Sequence, residues 1–191
     1  QALARERVGR LAECPSTAEV VDAMRRQTPL LWTRRREHER MLTVRLGVGT
    51  QPSRHEIELP PRNRTQARHW LALAAVRDDA ALVPGVPVVG DLRESGSIGV
   101  AGSRPAAAGV ARGLVAQLAG LHSPADLTLV AFASADTTAE WEWLKWLPHH
   151  GSAFSPVSGP HLAGEAAAGL RLVAELEEVI IRRTGDGSAG A

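Results

Sequence analysis

His122-Ser-Pro-Ala-Asp-Leu-Thr-Leu-Val-Ala-Phe-Ala-Ser134, followed closely by Trp141-Glu-Trp-Leu-Lys-Trp-Leu-Pro-His149, says more about this chain than any other segment. Leu127 to Phe132 is almost continuously apolar, the pattern of a parallel strand covered on both faces. Thr137 to Glu140 spells Thr-x-x-Glu, a capping box in which each residue satisfies an amide of the first helical turn, so a helix is predicted to begin near Thr138. Three of the five tryptophans stand between positions 141 and 146. On an α-helix Trp143, Trp146 and Leu147 share one face, and Pro148 ends the run because it has no amide hydrogen to donate.

Outward from this stretch the pattern is strand, helix, strand. Ser97 to Ala101 reads as a strand, and Pro105 to Gly120 as a helix with Val110, Leu114, Leu118 and Leu121 on one stripe. With the strand at 127–132 this makes a βαβ unit, whose crossover is expected to be right-handed. Gly151 to Gly164 has no period and is read as a loop. Glu165 to Arg183 is predicted as an amphipathic helix carrying Leu172, Val173, Leu176, Val179 and Ile180, with Arg182 and Arg183 at the negative end of its dipole. Gly185 to Ala191 is expected to be disordered or cut within a domain.

Toward the N-terminus, Leu3, Val8 and Leu11 suggest a helix broken before Pro15. Ser16 to Glu19 is a second capping box, opening a helix to about Arg26 that carries Val20, Val21 and Met24. Leu42, Val44 and Leu46 alternate with polar residues as in a half-buried strand, and Glu56 to Leu59 alternates again. Gly47 to Pro52 is read as the loop between them, so the two strands are expected to pair antiparallel. After Pro60-Pro61 and the basic segment Arg62 to Arg68, a helix is expected from about Ala67 to Ala81. Pro84 to Pro87 should break it, leaving Val86 to Val89 as a short strand. We divide the chain into a helical and β-hairpin region, 1–61, and an α/β domain, 62–191.

Composition excludes several classes. Hydrophobic residues make up 44% and charged residues 23% of the 191, and the net charge is +1. That balance gives no general attraction to nucleic acid or anionic lipid. No run approaches the roughly 20 apolar residues of a membrane span, and no signal peptide opens the chain. Cys14 is the single cysteine, so no internal disulfide forms and a reducing compartment is expected. The start at Gln1 leads us to expect a piece of a longer protein.

The order of these pieces resembles the FtsK/SpoIIIE-type ATPases, and among them the EccC motor components of actinobacterial type VII secretion systems. The likeness runs from Ala101-Gly102-Ser103 through the helix after Pro105, His122-Ser123-Pro124 and the strand Leu127 to Phe132, to Leu147-Pro148-His149. It includes Pro29-Leu-Leu-Trp-Thr-Arg-Arg-Arg36 and Leu42 to Pro52, and so covers roughly residues 15 to 183. It implies a RecA-like, P-loop-type parallel sheet from about residue 82 onward. The phosphate-binding loop departs from the pattern G-x-x-x-x-G-K-[ST], in which glycines free backbone amides for phosphate, lysine reaches the β/γ-phosphates and a hydroxyl holds magnesium. Counted from Gly102, Ala107 stands for the second glycine, Ala108 for the lysine and Gly109 for the hydroxyl. Where active relatives carry Asp-Phe-Lys-Gly-Gly, this chain has Ala133-Ser-Ala-Asp136. The electrostatic stabilisation that phosphoryl transfer needs is missing, which points to a degenerate, non-hydrolysing domain with no catalytic residue. Gly102, Ser103 and Arg104 mark the degenerate loop, expected to be empty, although a helix N-terminus by itself attracts anions. ATP and magnesium belong to the parent family and are not expected here.

The resemblance also implies partners: the ubiquitin-like domain of EccD, EccB and neighbouring ATPase modules, in an oligomeric complex. It implies a cytoplasmic domain of a plasma-membrane protein that meets the membrane only through flanking segments. Arg35, Arg40 and Arg45 are candidate partner contacts, and Trp143 and Trp146 candidates for interdomain packing.

A tryptophan cluster can stack on single-stranded nucleic acid, but helical spacing with little basic interleaving favours a core or interface. His122, His149, His150 and His161 have no cysteine or carboxylate at metal-ligand spacing beside them. Ser123, His149 and Asp126 can be written as a hydrolase triad, yet no Gly-x-Ser-x-Gly elbow surrounds the serine. Arg34 to Arg36, Arg62, Arg64 and Arg68 could meet phosphates of DNA or lipid. Glu37 and Glu39 interrupt the first run, and a mixed-charge patch suits a protein partner better. A DNA translocase module of FtsK type and a working ATPase completed from elsewhere remain the alternatives.

Overall fold

The structure is a computed structural model that describes residues 1–187. It is mixed α/β and divides into two compact units: residues 1–26 with 42–118, and residues 27–41 with 119 onward.

The first unit is built on a long antiparallel ribbon of β1 (Thr43–Pro52) and β2 (Leu82–Asp91). It is joined by α1 (Ala2–Glu13), α2 (Thr17–Arg26), α3 (Ala67–Ala80), α4 (Leu92–Ser95) and most of α5 (Arg104–Leu121). The expected partner of β1 is corrected here. Glu56 to Leu59 forms no strand, with Glu56 to Glu58 exposed and Leu59 half-buried, and β1 pairs with β2 instead. Gly47 and Gly49, taken as turn residues, sit inside β1, where the register shifts between Arg45 and Gly47 and again between Gly49 and Gln51. Glycine inside a strand marks such irregularities or a close approach. At Gly49 a Cβ would lie 2.9 Å from a methyl of Val88. Pro84, expected as a breaker, is absorbed the same way: Val83 faces Gln51 and Val86 faces Gly49, so Pro84 and Gly85 bulge between paired residues. Val20, Ala23, Val44, Val83 and Val86 are buried in this unit.

α2 starts as its sequence requires. The Glu19 carboxylate accepts from the Ser16 amide and hydroxyl, both at 2.7 Å, and the Glu19 amide donates back to Ser16 Oγ at 3.3 Å. The buried Gln117 on α5 ties three elements together. Its Oε1 accepts from the Arg45 amide at 2.8 Å, and its Nε2 donates to the Arg45 carbonyl and to Thr17 Oγ1, each at 3.0 Å.

The second unit holds β3 (Ala131–Phe132), α6 (Thr138–Trp141), a 3-10 segment Glu142–Trp146, β4 (Leu162–Ala163) and α7 (Ala166–Gly187). β3 and β4 run parallel, Ala131 opposite Leu162 and Phe132 opposite Ala163. Val157, Ala163 and Leu172 form the core, with Val130, Ala168 and Leu176 packed against it. The segment 27–41 folds over the last carbonyls of α5, which would otherwise lack partners. The Trp32 and Arg34 amides donate to the Gly120 and Leu121 carbonyls at 2.9 and 2.8 Å, and Trp32 Nε1 donates to Ala119 O at 3.2 Å.

Three expectations change in character. Ser97 to Ala101 is not a strand, and only the last two residues of Leu127 to Phe132 are paired. Among the described residues the sheets are two separate two-stranded pieces, one antiparallel and one parallel. An apolar run becomes a strand only where a neighbour accepts its amides, and Leu127 to Val130 has none in a ladder. The aromatic segment is not one α-helix: after a single α-turn it tightens to three residues per turn, so Leu144 and Leu147 share the buried face while Trp146 is 88% exposed. On α7, Leu172 and Val179 are buried, whereas Val173 and Ile180 lie one position round the helix and are exposed. Of the tail read as disordered or cut, residues 188–191 lie outside the described residues.

Candidate functional site

The loop read from sequence as a degenerate phosphate loop lies in the first unit. Gly102, Ser103 and Arg104 are exposed, and α5 begins at Arg104. The Ser103 carbonyl accepts from the Ala107 amide at 2.9 Å, so a helix N-terminus follows the loop as in a phosphate site. Ala108 and Gly109 offer a methyl group and a hydrogen where a lysine and a hydroxyl are needed. What the loop offers is a helix N-terminus, while Ala107, Ala108 and Gly109 carry neither a cation nor a hydroxyl.

The second unit has a crevice of about 520 Å³ at the carboxyl ends of β3 and β4, lined by Phe132, Ser134, Ala163, Gly164, Glu165 and Gly169 among others. Open α/β folds place their ligands at this edge. Here the lining is Phe132, alanines and glycines, with the Ser134 hydroxyl, one carboxylate and no cation. The expected box at its rim is corrected: Thr137 makes no side-chain cap to the helix and instead accepts from the Ser134 amide at 3.0 Å. Asp136 takes the Ser134 hydroxyl, and Thr138 Oγ1 donates to the Ser134 carbonyl at 2.8 Å.

The triad arrangement does not exist. Ser123 Oγ donates to the Asp126 carboxylate at 2.7 Å, and His149 Nε2 goes to the His122 carbonyl at 2.8 Å, so no histidine stands between serine and aspartate as a triad requires. Asp126 is instead the centre of a charge cluster. Arg35 Nε lies 3.0 Å and Arg36 Nε 3.3 Å from its two oxygens, and Arg36 also donates to the Ala125 carbonyl at 2.9 Å. The Ser123 hydrogen bond, aided by the two guanidinium charges, holds this carboxyl below the ordinary range against the opposing effect of burial.

The other singled-out residues scatter. Arg40 lies 3.2 Å from Glu39. Arg45 points into its own unit, donating to Cys14 O at 3.1 Å and Gly47 O at 3.4 Å. The ring of Trp143 lies 6.3 Å from that of Trp141, and its buried Nε1 has no hydrogen-bond partner among the described residues. Arg36, Asp126, His150 and His161 stand out in the sequence, but the pairing of Arg36 with Asp126 and of His150 with His161, whose ring centroids are 4.8 Å apart, is made only by the fold. The crevice did leave a trace, in Gly164-Glu165 between two apolar segments.

Comparison with known proteins gives the lineage. No family model matches the chain. It is 33% identical over 125 residues to the ESX-4 secretion system protein EccC4 of Mycobacterium tuberculosis, covering 64% of this chain and 10% of that protein. The ESX secretion system protein EccC of Thermomonospora curvata gives the same identity and the same coverages. EccC of Geobacillus thermodenitrificans is 35% identical over 128 residues, 62% of this chain and 8% of that protein. The chain is therefore related to the ESX secretion system proteins. Within that class its relatives are EccC-type components, and it spans about a tenth of their length.

Proposed function

We propose that the chain is a non-catalytic, ATPase-like adaptor segment of a type VII secretion motor. It retains part of a RecA-like scaffold and passes conformational change from catalytic modules toward a membrane complex. The observation that carries this is the loop at Gly102 to Arg104, which leads into α5 as a phosphate loop would while Ala107, Ala108 and Gly109 replace the second glycine, the cation and the hydroxyl. The relation to EccC proteins supports the secretion context, and the parallel pairing of β3 with β4 supports a remnant of a parallel sheet. In this reading the EccD ubiquitin-like domain, EccB and adjacent ATPase modules are the partners, and the segment works on the cytoplasmic side. No helix among the described residues is long and apolar enough to cross a membrane, so attachment would come from other parts of the protein.

Calorimetric titration with magnesium-ATP tests the proposal. No heat of binding is expected, because a helix N-terminus without lysine gives only weak anion attraction. Micromolar binding, or hydrolysis by the chain alone, would overturn it.

A further inference from the structure

Three histidine rings of the second unit hold the segment between the 3-10 helix and β4, and their hydrogen bonds fix which nitrogen carries the proton. His149 is buried, and its Nε2 meets the His122 carbonyl, which can only accept, so the hydrogen is on Nε2. Its Nδ1 is then a buried lone pair with no partner among the described residues. His150 is the reverse case. Its Nε2 accepts from the backbone amide of His161 at 3.2 Å, so that nitrogen must be bare and the hydrogen sits on Nδ1. The buried His161 directs Nε2 to Ser155 Oγ at 3.0 Å, and Ser155 gives its own hydrogen to the Val157 carbonyl at 3.1 Å. These tautomers are assigned from the network.

We propose that His149 and His150 form an acid-sensitive latch whose protonation releases the segment Leu147 to His161 and unpairs β4 from β3. A second proton on His150 turns its acceptor into a donor facing the His161 amide. A second proton on His149 places a charge on a buried nitrogen without an acceptor. The effect reaches the sheet because the His161 carbonyl accepts from the Ala131 amide at 2.7 Å, beside the β3–β4 ladder.

On balance the surroundings disfavour the charged forms. On His150 burial acts first, then His161 and Lys145, all against protonation. On His149 burial dominates over the favourable His122 carbonyl. Both rings are held below their ordinary value of 6.5. Nearby carboxylates have other partners: Glu142 pairs with Lys145 at 2.9 Å, Asp126 binds Arg35 and Arg36, and Glu175 of α7 accepts from the Ser158 amide at 3.0 Å. Well above 6.5 neither the closed nor the opened form is charged, and the latch holds at full strength. As the pH falls through 6.5 the opened form takes up protons first, and closure weakens progressively toward the lowered values of the closed form.

This device is independent of the secretion reading. Amide hydrogen exchange on the whole chain at about pH 7.5 and about pH 5.5, corrected for intrinsic rates, should show residues 147–163 losing roughly tenfold or more of their protection at the lower pH, with the β1–β2 ribbon unchanged. The double variant H149Q/H150Q keeps a donor and an acceptor at the ε positions without titrating, and should lose the pH response. Unchanged wild-type protection, or the same loss in the variant, overturns the latch. Should the variant fail to fold, imidazole titration by NMR in the wild type decides. Depressed titration that tracks the exchange supports the latch, and ordinary titration of both rings overturns it.

Discussion

Two four-residue boxes with the same sequence logic end differently. Ser16 to Glu19 closes reciprocally, side chain to backbone in both directions. In Thr137 to Glu140 the threonine hydroxyl turns back to Ser134 and leaves the helix uncapped by its side chain. The difference lies in what precedes each box. Before Ser16 stands Pro15, which has no amide and offers the serine no competing donor. Before Thr137 stands Ser134-Ala-Asp136, in which the Ser134 amide meets the Thr137 hydroxyl and the Ser134 hydroxyl meets the Asp136 carboxylate and Thr137 within a tight turn. A cap is a competition for donors, and the motif alone does not name the winner.

The largest effect that would sharpen this contrast is expected at Gly164. A Cβ there would fall 2.4 Å from Thr138 Oγ1 and 2.7 Å from its methyl, so Gly164→Ala should destabilise the second unit by about 1–3 kcal/mol, read from a urea midpoint. In a Thr138→Ala background the cost should shrink, because the clashing atoms are gone; full additivity of the two changes would contradict the packing described. Next in size, Ser16→Ala should cost about 1 kcal/mol, whereas Glu140→Ala should stay within about 0.5 kcal/mol. Equal losses would erase the distinction between the boxes. The smallest effect concerns pH. Hydrogen bonds from the Ser16 side chain and amide hold the Glu19 carboxyl below its ordinary 4.5, so the box contributes in full above 4.5 and fades as the pH falls through the lowered folded value. The gap between wild type and Ser16→Ala should therefore narrow in acid, measured as the difference in thermal midpoints across a pH series.

The same competition explains which parts of the molecule were legible. Helices declared by local patterns, such as α2, α5 and α7, stand close to where periodicity put them. Pairing was poorly legible. β1 overran its glycines and joined a segment nearly forty positions on, because strand partners are chosen by long-range packing that no local window contains. The departure from the phosphate-loop pattern at Ala107, Ala108 and Gly109 could be read directly, since that pattern depends on residue types at fixed spacing. The histidine latch could not, since His161 acts on His150 through its backbone amide.

Gln117 gives the first unit a safeguard. By meeting both the amide and the carbonyl of Arg45, its carboxamide imitates the peptide group of an adjoining strand. A ribbon of only two strands has open flanks on which another chain can template itself. At Arg45 that flank is plugged from within, and intermolecular growth would first have to pull an α5 side chain out of its seat.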